Sequence, residues 1–474
     1  MRTMRFATRV IATVLVCAFL GLGAFLGYTV YTQSSRWVTT QYNTRLTSAR
    51  KTVGMGSITD RNGMVLAETD ADGERQYADD KAVRRALSQT VGDQLSMSGT
   101  GVETFHAGTL LGLGGSIIDR TWQYVTGQSY KGDNIRLTVD AELTAYIAEQ
   151  FPAKHAGAVA LINYRTGEVL AMVSKPDYDP QKLLSRQSGA DESGAAYLNR
   201  CLQGQYAPGS SFKIVTLAAA LENLSGIDER TFVCDGPRYF GDTKVTCYGG
   251  EVHGTMTLAQ ALEKSCNVTF ASIAEELGDK RLAAAARKMG FNDNFRFRDL
   301  VLYQSSIPDA ISDPGELAWT GDGQGKLLVT PLHMALLAGA VANGGTMQEP
   351  RLIAQVTGAA GGMPRLRTPT GQYARVMERS TADTVQRYMR RVVESGTATK
   401  ARIKGYTVCG KTGTAEVSDD KRAPTNAWFV GFVAEENAPY AIAVVVEGGG
   451  TGGSTAAPLA AKALKRAIAL QNYQ

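Results

Sequence analysis

The chain has 474 residues, of which 44% are apolar and 51 are glycine, so it is long enough for two or three domains and is globular rather than disordered. Its net charge of +5 is small for this length. No Lys/Arg-rich block or aromatic-basic stripe interrupts the sequence, which argues against a nucleic-acid-binding face.

The N-terminal segment predicts a membrane span. Val10 to Tyr31 is an apolar run of about 22 residues without a charge, long enough to cross a hydrocarbon layer as a helix. Arginines precede the run, which favours a cytoplasmic N-terminus and places everything after Gln33 outside the cytoplasm. A cleaved signal peptide is the alternative, but its apolar stretch is normally shorter and ends in a small-x-small site. We therefore expect an uncleaved single-pass anchor.

The segment after the span predicts a spacer without catalytic groups. Residues 33–52 are polar and read as a stalk. Between positions 56 and 67, two apolar runs flank Asn62-Gly63, the strongest short hairpin signal. Residues 70–130 mix short helical stretches with glycine-rich breaks. The predicted domains are a cytoplasmic tip and anchor (1–33), a pedestal or dimerisation-like domain (34–150) and a main domain (151–474).

Strands are predicted at both ends of the main domain. Residues 157–163 and 168–173 form one strand-turn-strand pattern, and residues 428–434 and 440–446 form another. A helix at 456–470 closes the chain. Because these two groups bracket a mainly helical middle, we expect an α+β domain whose antiparallel sheet is built from both ends.

Ser210 to Lys213 (Ser-Ser-Phe-Lys) is the first motif with chemical meaning. Pro208-Gly209 makes a turn before it and good helix formers follow, so the serine is predicted at a helix start. Ser48 to Lys51 also fits Ser-x-x-Lys, a pattern expected roughly twice by chance in such a chain. No turn precedes Ser48, and it follows the membrane span closely.

A serine hydroxyl is a weak nucleophile unless a neighbouring base takes its proton. Lys213 shares a helix face with Ser210 and can act as that base if it is transiently neutral, which burial and a second cation such as Lys411 would favour. Ser265 to Asn267 (Ser-Cys-Asn) separates two predicted helices. Ser265 can relay a proton there and Asn267 can bind a peptide backbone, or either residue simply caps the second helix.

Lys411 to Thr414 (Lys-Thr-Gly-Thr) follows a β-prone run and is predicted on an edge strand beside the serine. Gly413 permits close backbone approach, Lys411 supplies positive charge, and the hydroxyls of Thr412 and Thr414 can bind a carboxylate. An extended peptide can then pair along the strand. The backbone N–H groups of Ser210 and Thr414 are the predicted oxyanion donors.

The cysteines and histidines show no metal-ligand spacing, which argues against a zinc site. Cys234 and Cys247 flank a Gly/Pro/Tyr-rich loop and are read as either a disulfide or two free thiols. Cys266 and Cys409 receive no chemical role, and His253 is interpreted as structural. No histidine has an obvious Asp partner, so a Ser-His-Asp mechanism is the weaker alternative.

Together these motifs resemble the class B penicillin-binding proteins, the membrane-anchored monofunctional D,D-transpeptidases of bacterial cell-wall synthesis. The resemblance covers the anchor, the hairpin and all three motifs. It implies a transpeptidase-like domain, with an antiparallel sheet, helices on both faces and a helical subdomain, on an N-terminal pedestal. It also implies peptidoglycan stem peptides and β-lactams as ligands, no cofactor, and a polytopic lipid-linked glycan polymerase as partner.

By this resemblance, a stem peptide acylates Ser210, and the acyl group then passes to an amine of a neighbouring strand. The implied catalytic residues are Ser210, Lys213 and Ser265, and the implied substrate-binding residues are Asn267, Lys411, Thr412, Gly413 and Thr414. The alternatives are a D,D-carboxypeptidase, a β-lactam-hydrolysing relative, and a non-enzymatic sensor or catalytically weak divisome scaffold. Hydrolysis of β-lactams needs a positioned carboxylate, and no Glu-x-x-Leu-Asn follows Asn267 closely.

Overall fold

The computed structural model describes residues 2–38, 53–113, 131–184, 194–359, 364–367, 370–417 and 423–471. Residues 39–52 of the predicted stalk lie outside this set. In the described part of the chain, one helix is long and apolar enough to cross a membrane, with its apolar stretch at Arg9–Thr29. None of that stretch is buried against the rest of the protein.

The helices and strands are numbered here in chain order. The helices are α1 (Arg2–Val38), α2 (Lys81–Ala86), α3 (Ser88–Val91), α4 (Val102–Phe105), α5 (Ala107–Leu110), α6 (Ala141–Gln150), α7 (Pro180–Leu184), α8 (Lys213–Asn223), α9 (Leu258–Glu263), α10 (Asn267–Lys288), α11 (Pro314–Asp322), α12 (Pro331–Ala342), α13 (Arg379–Glu394) and α14 (Ala457–Gln471). The strands are β1 (Ile58–Thr59), β2 (Val65–Thr69), β3 (Arg75–Tyr77), β4 (Asn134–Leu137), β5 (Gly157–Asn163), β6 (Val169–Lys175), β7 (Thr231–Cys234), β8 (Arg238–Phe240), β9 (Thr243–Val245), β10 (Gly254–Thr257), β11 (Thr346–Gln348), β12 (Ile353–Thr357), β13 (Pro364–Arg367), β14 (Gln372–Arg375), β15 (Val408–Ala415), β16 (Asn426–Val433) and β17 (Tyr440–Val446).

The main sheet is antiparallel and has the strand order β15-β16-β17-β5-β6. It therefore joins strands from both ends of the main domain, as predicted, and the four predicted strands are confirmed to within two residues. Every residue of β16 and β17 is buried, so both faces of the sheet are covered. Helices α12 and α14 both contact β16 and β17. The α+β class and the closing helix are confirmed.

A second sheet forms the base of the molecule and has the order β13-β12-β4-β1-β2-β3. The predicted hairpin at Asn62-Gly63 is confirmed: β1 pairs with β2, and Asp60 Oδ1 accepts the backbone N–H groups of Asn62 and Met64, each at 2.8 Å. Two strands of this sheet, β12 and β13, come from the middle of the main domain. The division at residue 150 stays a prediction.

Candidate active site

Ser210 lies in a short 3-10 helix, Gly209–Phe212, that continues into α8. The predicted helix start is confirmed. Gly209 has φ +54°, and a Cβ there would lie 2.7 Å from the carbonyl oxygen of Thr414. Only glycine therefore fits where this turn meets β15. The turn leaves the Ser210 side chain partly exposed at the head of a buried helix.

Lys213 lies one turn after Ser210 and is wholly buried. Its Nζ donates hydrogen bonds to Ser210 Oγ at 3.0 Å, to Asn267 Oδ1 at 2.6 Å and to the backbone carbonyl of Ser265 at 3.2 Å. The amine thus connects the first two motifs directly. A lysine nitrogen at this distance from a serine hydroxyl is placed to exchange a proton with it.

Ser265 occupies the turn between α9 and α10 with φ +57°, a left-handed conformation that is uncommon outside glycine. The backbone turns here so that Ser265 Oγ accepts a hydrogen bond from Lys411 Nζ at 2.8 Å. Asn267, the first residue of α10, donates its Nδ2 to the carbonyl of Thr246 at 2.8 Å. That bond fixes the amide so that its oxygen faces Lys213.

Strand β15 is an edge strand of the main sheet and passes beside the Ser210 turn, as predicted. A Cβ on Gly413 would lie 2.6 Å from the carbonyl oxygen of Pro208, which explains the glycine. Lys411 is wholly buried, and burial together with the nearby Lys213 ammonium holds the pKa of Lys411 well below its usual range. Thr412 Oγ1 lies 2.6 Å from Thr397 Oγ1.

Asp322 is a member of the site that the sequence analysis missed. It is the last residue of α11, it is almost fully buried, and its Oδ1 lies 3.3 Å from Lys213 Nζ. The pair is within ion-pair distance, although Oδ1 lacks the angles of a hydrogen bond. Burial raises the pKa of Asp322 to about 7, against the attraction of Lys213. An acidic residue directly before the glycine-rich break at Gly323 was the available signal.

Four residues left without a chemical role in the sequence also come together, on the other side of Ser265. The ligand atoms of Cys234, Cys247, His253 and Cys266 all lie within 4.8 Å of one another. All of the cysteines in the described residues are free thiols. The spacing of these residues in the sequence therefore did not predict that the fold would bring their side chains together.

A chain of hydrogen bonds thus connects the three motifs beside the Ser210 hydroxyl. Lys213 contacts Ser210 and Asn267, and Lys411 contacts Ser265. This arrangement provides a nucleophile, an adjacent amine and a relay hydroxyl beside an edge strand, which suits acyl transfer from an extended peptide.

Known proteins are similar to this chain in sequence and in fold. Residues 157–465 match the sequence family described as the penicillin binding protein transpeptidase domain. The peptidoglycan D,D-transpeptidase PbpA of Mycolicibacterium smegmatis is 30% identical over 442 residues, covering 87% of this chain and 89% of that protein.

Two solved structures are also similar. The ceftriaxone acyl-enzyme complex of penicillin-binding protein A from M. tuberculosis superposes with a TM-score of 0.80 at 27% identity, covering 88% of this chain and 99% of that one. The D,D-transpeptidase domain of the peptidoglycan glycosyltransferase from Eggerthella lenta gives a TM-score of 0.77 at 30% identity, covering 89% of this chain and 100% of that one. The chain accordingly belongs to the penicillin-binding protein transpeptidase family, as a class B member.

Proposed function

We propose that Ser210 is the nucleophile that carries the acyl group in this enzyme, with Lys213 as its base. The chain is a peptidoglycan D,D-transpeptidase that forms acyl-enzymes with β-lactams. The observation that supports these roles is the 3.0 Å hydrogen bond between Lys213 Nζ and Ser210 Oγ inside a buried polar cluster.

In the first half-reaction, Ser210 Oγ attacks the carbonyl carbon of the penultimate D-alanine while its proton passes to neutral Lys213. The backbone N–H groups of Ser210 and Thr414 bind the oxyanion that forms. The C–N bond then breaks, and the nitrogen of the leaving D-alanine receives, relayed by Ser265, the proton that Lys213 had taken, so Lys213 is neutral again; Ser265 is held in place by its hydrogen bond from Lys411.

In the second half-reaction, an amine of a neighbouring stem peptide attacks the Ser210 ester. The amine loses a proton to neutral Lys213, the C–O bond of the tetrahedral intermediate breaks, and Lys213 returns that proton to Ser210 Oγ across their hydrogen bond. Asn267 orients the peptide backbone, and Lys411, Thr412, Gly413 and Thr414 bind the extended donor along β15, with the threonine hydroxyls on its carboxylate.

Replacing the nucleophile tests this assignment. Ser210→Ala removes the attacking oxygen, so we expect labelling by a fluorescent penicillin to disappear while the thermal unfolding midpoint stays close to that of the wild type. Ser48→Ala, in the other Ser-x-x-Lys sequence, is the matched control and should label normally. Labelling of Ser210→Ala at the wild-type level would contradict the proposal.

We further propose that α1 is an uncleaved anchor that holds the catalytic domain outside the cytoplasm beside a polytopic lipid-linked glycan polymerase. The apolar stretch of α1 is not buried against other described residues, which suits contact with lipid. The arginines before it favour a cytoplasmic N-terminus. Intact-mass analysis of the membrane fraction should give the full chain, and protease added outside the cell should digest the catalytic domain. A mature chain that begins after Tyr31 would indicate a signal peptide instead.

A further inference from the structure

The cluster of Cys234, Cys247, His253 and Cys266 lies beside the active-site turn. The sulfur atoms of Cys234 and Cys247 are 3.7 Å apart, those of Cys247 and Cys266 are 3.6 Å apart, and His253 Nδ1 is 3.7 Å from the Cys234 sulfur. A disulfide needs about 2.05 Å between sulfurs. Tetrahedral zinc with bonds of about 2.3 Å to sulfur places neighbouring sulfurs about 3.8 Å apart.

The fold brings the ligands together from three elements. Strands β7 and β10 pair as a two-stranded ribbon. Strand β7 ends at Cys234, which lies opposite Gly254, so His253 lies at the same end of this β7-β10 ribbon. Cys247 follows the β8-β9 hairpin, and Cys266 is the residue directly before α10. The three close contacts within this cluster join residues that are 13 to 19 positions apart in the chain.

The surroundings of these side chains are those of metal ligands. Glu251 Oε2 lies 3.3 Å from His253 Nε2, so the carboxylate fixes the proton on Nε2 and leaves Nδ1 free to coordinate. Thr269 Oγ1 donates a hydrogen bond to the Cys266 sulfur at 3.2 Å. A bond of this kind stabilises a thiolate.

The segment between β7 and β10 has little apolar support of its own. Its hairpin contributes Phe240 and Val245 to a satellite cluster of four buried residues, completed by Ala271 and Ala318. A small, loop-rich segment of this kind is commonly held by a metal or a disulfide. A disulfide would use only two of the four clustered side chains, whereas a metal uses all of them.

We propose that Cys234, Cys247, His253 and Cys266 bind one structural zinc ion, which fixes the turn that presents Ser265 and Asn267 to the two active-site lysines. Three thiolates and one imidazole in a closed tetrahedral set favour zinc. Each thiol gives up its proton to solvent when the metal binds, so zinc affinity falls as pH falls. Cys266 connects the ion to the active site, because its neighbour Ser265 contacts Lys411 and its neighbour Asn267 contacts Lys213.

Metal analysis of the detergent-solubilised full chain tests the site. We expect about one zinc per chain in the wild type and in the control Cys17→Ser, whose cysteine lies in α1, and loss of zinc in Cys247→Ser. Cobalt substitution should give sulfur-to-cobalt charge-transfer bands. Absence of bound metal, a different native metal, or a Cys234–Cys247 disulfide by mass spectrometry would overturn the proposal.

A milder variant separates loss of metal from loss of fold. Glu251→Gln keeps the four ligands but removes the carboxylate on His253, so zinc affinity should fall about 10- to 100-fold in competition with a chelator, while Glu436→Gln at an exposed site changes nothing. Removing zinc from the wild type should slow acylation by a fluorescent penicillin, and added zinc should restore the rate. Acylation that is equally fast without zinc would overturn the positioning role.

Discussion

Two buried lysines define the electrostatics of this active site. Lys213 and Lys411 are both wholly buried, and Ser265 joins them by accepting a hydrogen bond from Lys411 at its hydroxyl and from Lys213 at its carbonyl. Burying two ammonium groups close together is costly, and each disfavours the charged form of the other. Asp322, at 3.3 Å from Lys213, is the carboxylate that offsets this repulsion.

Asp322→Asn should therefore change the pH dependence of acylation. The ionised carboxylate stabilises the ammonium form of Lys213, so replacing it favours the neutral amine, and the acid limb of the acylation profile should move to lower pH by about one pH unit. Because the pKa of Asp322 is raised to about 7, the two enzymes should differ most above that pH. Stopped-flow measurement of the acylation rate across the neutral pH range checks this expectation.

The control for this change is Asp309→Asn, an exposed carboxylate paired with Arg287. It should leave the profile in place. An Asp322→Asn enzyme with the wild-type acid limb would show that the carboxylate supports the fold without influencing the base.

At the level of elements, the site depends on how closely β15 approaches the Ser210 turn. Gly413 faces Pro208 and Trp428, and a Cβ at position 413 would lie 2.6 Å from the Pro208 carbonyl and 3.0 Å from the Trp428 Cβ. Neither backbone nor buried tryptophan can give way cheaply. The glycine thus sets the spacing between the nucleophile and the strand proposed to bind the substrate.

Gly413→Ala should push the strand and the turn apart. A displacement of about 1 Å at reacting groups costs on the order of 100-fold in rate, so we expect acylation to slow by about that factor while the protein stays folded. Gly108→Ala, where the added Cβ has open space, is the control. A Gly413→Ala enzyme that acylates at the wild-type rate would contradict this account of the spacing.

Two histidines in different parts of the molecule are shielded from solvent, His106 partly and His333 completely. His106, in the base, bonds through Nε2 to the carbonyl of Asp299 at 2.9 Å, and His333, on α12, lies between Met289 O at 2.9 Å and Ser305 Oγ at 2.8 Å. Burial lowers the pKa of each imidazole to about 4. The unfolded chain takes up these protons first, so acid weakens the fold at both places.

Replacing His333 with Gln should reveal this effect as a pH-dependent difference in the free energy of unfolding between the wild type and the variant. The folded pKa lies below the unfolded value of 6.5, so the stability that neutral His333 contributes is lost as pH falls from about 6.5 to 4. The stability advantage of the wild type over the variant should shrink by about 1.4 kcal/mol per pH unit across that window. Denaturant unfolding at several pH values measures it, and a difference independent of pH would contradict the assignment.

Sequence reasoning located the parts of the fold that local patterns encode. The strands at both ends of the main domain, the Asn62-Gly63 hairpin and the helix start at Ser210 follow from apolar alternation and turn residues, which act over a few positions. The same reasoning missed Asp322 and the cysteine-histidine cluster. Both form only where distant elements meet, α11 with α8 in one case and the β7-β10 ribbon with α10 in the other.

The sequence alone determined the membrane-length helix, the α+β class and the three motifs, because hydrophobic periodicity and short motifs are properties of neighbouring residues. Only the tertiary structure decided which carboxylate faces Lys213, that β12 and β13 complete the basal sheet, and that three cysteine sulfurs and a histidine nitrogen lie within 4.8 Å of one another beside Ser265. Those outcomes depend on strand pairing and helix packing over long sequence separations, where burial and geometry, rather than local preference, choose the partner.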